Sequence, residues 1–346
     1  MSNKKRKFDN QSKSSTQNQF ISWEKKLTDR SSNNIDTKGR SSTLSLALGS
    51  SLLATAPTKE IRTQLVSQIA RILCICEIDE IIIYIDSNHE LQIDKEKRYS
   101  TFFSLILQYL ECPPYLRKSL FPFSSDLKFC GLASPLEIPS HPAKNEKNLL
   151  YREGVVVSEA EEGGKKTMVN IGLDDTIQLN FPLKKGTRVT MSLEEGNGIN
   201  SNSSNGSNHG VPVSPHEPRE KHGLYWGYST RIANSLSDVA SNCPFPQGEY
   251  DQLIACILNE DDEDGQDITN EIKEKLKNSG KKHTLLFFGD IRSAVEADEQ
   301  VSQRGHNAHE IFDHWLKAPL IGKGTKRLRQ EEGLLISLST LYDALH

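Results

Sequence analysis

No run of apolar residues in this 346-residue chain approaches the roughly 18–20 needed to cross a bilayer. The first residues also lack the apolar core of a secretory signal, so no membrane partner is expected. No Cys-x-x-Cys pair occurs. The six cysteines (Cys74, Cys76, Cys112, Cys130, Cys243 and Cys256) are scattered, which fits a reduced, intracellular protein rather than a disulfide framework. Cys74 and Cys76 lie inside an apolar run and read as buried thiols. Hydrophobic residues make up only 36% of the chain, so part of its length is expected to be disordered. No excess of positive charge exists either: 42 basic residues face 46 acidic ones, for a net charge of −4. Any contact with nucleic acid must therefore come from local patches.

The common catalytic motifs are missing as well. A phosphate loop needs G-x-x-x-x-G-K-[ST]. In "KAPLIGKGTKRLRQ" Gly324 follows Lys323, and Lys317 stands where the first glycine belongs. "HEIFDH", residues 309–314, spaces its histidines five apart instead of four. On a helix that turns the second imidazole about 100° further round, so an amphipathic helix with surface histidines is expected there. No G-x-S-x-G elbow appears. The acidic "NEDDEDGQD", 259–267, reads as a solvated loop. Hydrolysis and metal catalysis have no support, and no metal is expected.

What is present has an order. Residues 1–40 are polar and read as a disordered basic N-terminal tail. Its "NKKRKFDN" suits nuclear import, or simply a solvated arm. "STLSLALGSSL" predicts a buried strand, "PTKEIRTQLVSQIARILCICEI" a helix, and "DEIIIYID" a strand covered on both faces. "TFFSLILQYLEC" predicts a helix ending before Pro113 and Pro114. Near 150 the pattern changes to short alternating runs: "REGVVVSEA", "KTMVNIG", "DTIQLNF" and "GTRVTMSL". These predict a small antiparallel, OB-like unit over 151–222, with a low-complexity loop at 196–210. From 223 the α/β pattern resumes: "GLYWGYS" as a strand, "TRIANSLSDVA" as a helix with Thr230 near its cap, and "HTLLFFGD" as an apolar strand. The expected organisation is one discontinuous α/β domain, 41–150 and 223–346, carrying an inserted β domain.

Two glycine junctions remain, Phe288-Gly289 and Leu320-Ile321-Gly322-Lys323-Gly324-Thr325. Ligands of open α/β sheets bind beyond the carboxyl ends of strands, and glycines there admit close approach of the backbone. Phe288, Leu320, Ile321 and Leu328 would suit an adenine ring. The plainer reading is that the glycines only turn the chain.

"ILQYLECPPYLRKSLFP", "DLKFCGLASPLEIPSHP", "YREGVVV", "GLYWGYSTRIA" and "GKGTKRLRQEEGLLISLSTL" together resemble the DUF171-type branch of the SPOUT superfamily of RNA methyltransferases, in order from about 42 to 346. The resemblance implies a parallel α/β sheet whose C-terminal chain threads a trefoil knot, a rare exception to unknotted topology. It also implies a homodimer, and S-adenosyl-L-methionine bound in the knot. The cofactor would then meet Phe288 and Gly289, the loop from Leu320 through Gly322 and Gly324 to Thr325, and the turn Leu328-Arg329-Gln330-Glu331. Arg231, in "YSTRIA", is the candidate catalytic residue on the acceptor side, reached across a dimer; its guanidinium suits anchoring a phosphate or carbonyl. Lys323, Lys326 and Arg327 form, with Arg329, a basic edge for RNA phosphates. The implied function is modification of ribosomal RNA during ribosome assembly, in the nucleus and nucleolus. Three positions depart from the family pattern: Asp290 replaces a second glycine, Ile321 a proline, and Gly333 an alanine. These departures motivate an alternative, a catalytically inactive RNA-binding assembly factor with the same fold.

Overall fold

The computed structural model describes residues 39–86, 90–146, 149–158, 167–193, 210–245, 248–258, 265–298, 301, 308–319, 324–325 and 328–346. Among the described residues, twelve strands form two sheets. The first holds β1 (Thr43–Gly49), β2 (Glu80–Tyr84), β8 (Ser229–Ala233), β9 (Gln252–Ile257), β10 (Gln266–Asp267), β11 (His283–Phe288) and β12 (His314–Lys317). Their order is β10-β12-β9-β11-β1-β2-β8, and every pairing is parallel. Such a sheet needs cover on both faces, which is why its strands read as continuous apolar runs. Leu46, Leu48, Ile81, Ile83, Ile254, Leu286 and Phe288 face one core. Their alternates Ala47, Ile82, Ala255, Leu285 and Phe287 face the other.

The helices are α1 (Lys59–Ile75), α2 (Glu90–Glu111), α3 (Arg117–Leu120), α4 (Glu217–His222), α5 (Leu236–Ser241), α6 (Asn270–Lys277), α7 (Ile291–Ala297), α8 (Ala308–Ile311) and α9 (Gln330–Leu345). Thr58 starts α1 by accepting from the Ile61 N–H at 3.3 Å, as an N-cap does. The helix α2 stops two residues before Pro113.

The second sheet is antiparallel: β3 (Tyr151–Ser158), β4 (Thr167–Asn170), β5 (Ile177–Leu179), β6 (Arg188–Ser192) and β7 (Val211–Val213), in the order β5-β4-β3-β6-β7. Four of these are the alternating runs read from the sequence. The sheet has its own core of Val156, Val169, Ile171, Ile177, Leu179 and Met191. Arg188 ties it to the rest: Nε donates to Glu153 at 2.6 Å, while Nη1 and Nη2 donate to Glu111 at the end of α2, at 2.6 and 2.9 Å.

Two predicted elements are corrected. Residues 223–228 form no strand, and β8 instead occupies Ser229–Ala233, the last residue of the predicted strand and the first four of the predicted helix. Gly227 sits at φ +113°, where a Cβ would lie 2.5 Å from Glu111 Oε1. The Tyr225 and Tyr228 hydroxyls are fixed by the carbonyls of Ile78 and Leu107, at 2.8 and 3.0 Å. The aromatics therefore anchor a bent segment, and the ladder to β2 outweighs the helical pattern of "TRIANSL". Only α5 remains helical, capped by Ser235. Similarly, "HEIFDH" is helical only to Ile311, and His314 opens β12. Asp313 pins that change by accepting from the Leu253 N–H at 2.8 Å. The tail to residue 38 and the low-complexity loop at 196–209 lie outside the described residues.

Candidate active site

The carboxyl edge of the parallel sheet carries the glycine that ends β11. Gly289 has φ +127°, and among the described residues, its chain neighbours aside, no atom lies within 4 Å of where its Cβ would be. The residue is glycine for conformation. Its N–H donates to the Cys256 carbonyl at 3.3 Å, holding the turn against β9. Asp290 then caps α7, accepting from the Ser293 N–H at 3.3 Å and from its hydroxyl at 2.8 Å. This departure from the family pattern thus has a local structural role.

The first turn of α9 lies on the same edge. The Arg329 N–H donates to Glu332 Oε2 at 3.0 Å, the backbone half of a capping box. Gly333 is buried, and a Cβ there would stand 2.2 Å from Leu258 Cδ2 and 3.4 Å from the Phe288 ring. A side chain there would have to displace the tip of Leu258, so the glycine leaves that side chain its place over the end of β9. Leu328, Gln330 and Glu331 are half-buried beside it, and Arg329 is exposed. Phe288 thus meets α9 at Gly333, one turn on from residues 328–331, of which Arg329 and Glu331 border a groove with Arg71 and Ile75 of α1. Gly324 and Thr325 are exposed. Leu320, Ile321, Gly322, Lys323, Lys326 and Arg327 lie outside the described residues.

Arg231 is elsewhere in the chain. Register sets Ile232 level with Ile83, Leu48 and Phe288. Arg231 is thus three strand spacings from β11, roughly 14–15 Å. Its Nε donates to Glu80 at 3.1 Å, and Nη2 to the Val239 carbonyl and the Tyr250 hydroxyl at 3.0 and 3.2 Å.

Sequence reasoning missed Asp86 and Glu96. Asp86 follows β2 on the same edge, against Gly49, whose Cβ would sit 2.2 Å from the Asp86 carboxylate. It accepts from the Ser51 N–H at 3.0 Å, and its own N–H donates to Glu96 Oε2 at 3.1 Å. Burial, and then the Asp86 charge, push the Glu96 carboxyl up to about 7. Asp86 was findable as the first acid after an evident strand. Glu96 lies among charged residues of α2 and is identified only by its burial.

Residues 43–341 match a protein family described as "Putative RNA methyltransferase". The chain is 34% identical over 319 residues to the 28S rRNA (uridine-N(3))-methyltransferase of Homo sapiens, covering 90% of this chain and 80% of that protein. Identity to the enzyme of the same name from Mus musculus is also 34%, over 89% and 78% of the two chains. For that of Drosophila melanogaster it is 32%, over 89% and 63%. A match that runs from the first strand of the parallel sheet into its last helix takes in both sheets and the glycine edge, and the chain belongs to this family of RNA methyltransferases.

Proposed function

We propose that the protein methylates N3 of a uridine in large-subunit ribosomal RNA, with S-adenosyl-L-methionine as donor. The observation that carries this reading is the strand-end turn at Gly289, held at positive φ on the carboxyl edge of the parallel sheet, where α9 packs at Gly333. The names of the similar enzymes supply the acceptor. The cofactor fits that edge: half-buried Leu328 offers apolar surface for an adenine, the fully buried Phe288 supports the turn from beneath, and glycine at 289 lets the backbone approach a ligand closely. When bound, it supplies an electrophilic methyl group. The protein's part is to align the acceptor nitrogen in line, exclude water and accept the N3 proton. Positioning of this kind is worth about 7–11 kcal/mol. The Asp86–Glu96 pair on the same edge can hold a proton near neutral pH, as that step requires.

The same reading takes 41–150 and 223–346 as one SPOUT-type domain, knotted through the loop at 320–325, with 151–222 as an OB-like insertion. Lys323, Lys326 and Arg327 would line the RNA-facing side of that loop. Arg231 lies too far across the sheet to reach Gly289 in its own chain, which favours delivery from a second copy in a homodimer. Ribosomal RNA as substrate implies a nuclear, nucleolar site of action. Asp290 as a cap and Gly333 as a close contact give two of the three departures structural reasons, so they no longer favour an inactive protein.

The test is methyl transfer by the full chain to unmodified large-subunit rRNA, with products mapped by mass spectrometry. One methyl on a uridine N3 is expected. Tight binding of S-adenosylhomocysteine with no methyl entering RNA would overturn the catalytic reading.

A further inference from the structure

A cleft of about 760 Å3 opens at the amino ends of β2 and β8, on the opposite edge of the parallel sheet from Gly289. Its size is that of a ligand site. One wall is the antiparallel sheet, through Val189, Thr190 and Pro212, and the other carries Phe121, Trp226 and Phe245. Two of these rings are held in place. Trp226 Nε1 donates to Glu153 Oε1 at 2.5 Å, and Phe245 stacks on His283 with centroids 4.2 Å apart. Fixed aromatic surfaces lose little entropy when something packs on them.

Each carboxylate lining the cleft has a cation beside it, four carboxylates to three arginines. Arg188 bridges Glu111 and Glu153, Arg219 pairs with Asp79 at 3.2 Å, and Glu80 receives Arg231. No surplus of cations is left there to hold a phosphate, so the cleft suits an uncharged ligand. Hydrogen-bonding capacity nevertheless remains in its lining residues. Gln108, His216 and Ser229 line the cleft and are exposed. Flat, uncharged, apolar on its faces and polar at its rim describes a nucleobase out of its stack.

We propose that this cleft takes an unstacked base of the RNA substrate, one flanking the methylated nucleotide and not the acceptor itself. Strands of five and six residues put roughly 16–20 Å between the two edges of the sheet, too far for one base to serve both. The inference rests on the RNA substrate proposed above. It assigns part of the enzyme's selectivity to the junction between the two sheets.

Two full-length variants test it. Ser229→Trp places a bulky side chain at an exposed position in the cleft, and Phe121→Ala removes an aromatic wall. Binding of unmodified large-subunit rRNA transcript is measured across a salt series. Each variant should lose about tenfold in affinity, as for one stacked base, with the slope of log K against log salt unchanged. S-adenosylhomocysteine affinity should stay at the wild-type value, which also reports the fold. Transcript carrying 4-thiouridine should crosslink to peptides containing Phe121 or Trp226. Wild-type affinity in both variants with no crosslink would overturn the proposal, as would a shallower salt slope, which marks a phosphate contact. If the wild-type protein neither binds nor methylates the transcript, the RNA reading itself fails. Methylation by wild type with unaffected variants removes the cleft alone.

Discussion

At Gly289 the backbone adopts φ +127°, a conformation that side chains occupy only under strain. Gly289→Ala should cost about 1–3 kcal/mol of stability, read from urea unfolding, and weaken S-adenosylhomocysteine binding in isothermal titration. Gly333 makes the opposite case, since its backbone is helical and its neighbours are crowded. Alanine there gains about 1 kcal/mol of helix propensity but meets Leu258 at 2.2 Å, and overpacking of that kind costs about 1–3 kcal/mol. Gly333→Ala alone should therefore destabilise, and adding Leu258→Ala should recover part of the loss. A double-mutant cycle measures the coupling. Gly333 is legible in the sequence only as a weak helix residue; its purpose becomes visible once β9, β11 and α9 meet.

Elements show the same division between local and long-range information. The starts and stops of α1 and α2 were legible because Thr58, Pro113 and Pro114 act within a few residues. β8 was not, because its ladder partner β2 is about 150 residues away and "TRIANSL" is locally helical. Asp290 is a local device again. Asp290→Ala should cost about 1 kcal/mol through α7, while Asp290→Gly, which restores the family's residue, should cost only a few tenths; thermal unfolding distinguishes them. Two buried groups set opposing pH slopes. Glu96, raised from 4.5 to about 7, holds a proton that the unfolded chain has released. Its stabilisation is present below about pH 4.5 and lost as pH rises through 7. His141 is lowered from 6.5 to about 4, first by burial, so its contribution is present above pH 6.5 and lost as pH falls toward 4. Between pH 4.5 and 6.5 the two oppose each other. Glu96→Gln removes the first alone, so the variant should lose stability on acidification more steeply than wild type in urea titrations.

Across the whole molecule, Arg188 joins α2 to β3 and β6 with two buried carboxylates around one cation. Arg188→Ala leaves Glu111 and Glu153 unpaired and should cost roughly 3–5 kcal/mol. The deficit should narrow in acid, because burial already raises Glu111 and protonation removes its charge. Hydrogen exchange should report faster opening of β3 and β6 than of β1 and β11. Neither this junction nor the cleft beside it was legible in the sequence, since both depend on residues far apart in the chain that meet only after folding. The parallel sheet has a further consequence in time. β1 finds one neighbour, β2, within about forty residues, but its other, β11, begins 240 positions later, at the pairing of Thr43 with His283. At about 5–20 residues per second of synthesis, β1 waits roughly ten to fifty seconds with one side unpaired. In that interval the whole antiparallel sheet leaves the ribosome and can close on itself. The nascent chain therefore has an open strand edge for most of its synthesis, and that edge is where a chaperone would have most to protect.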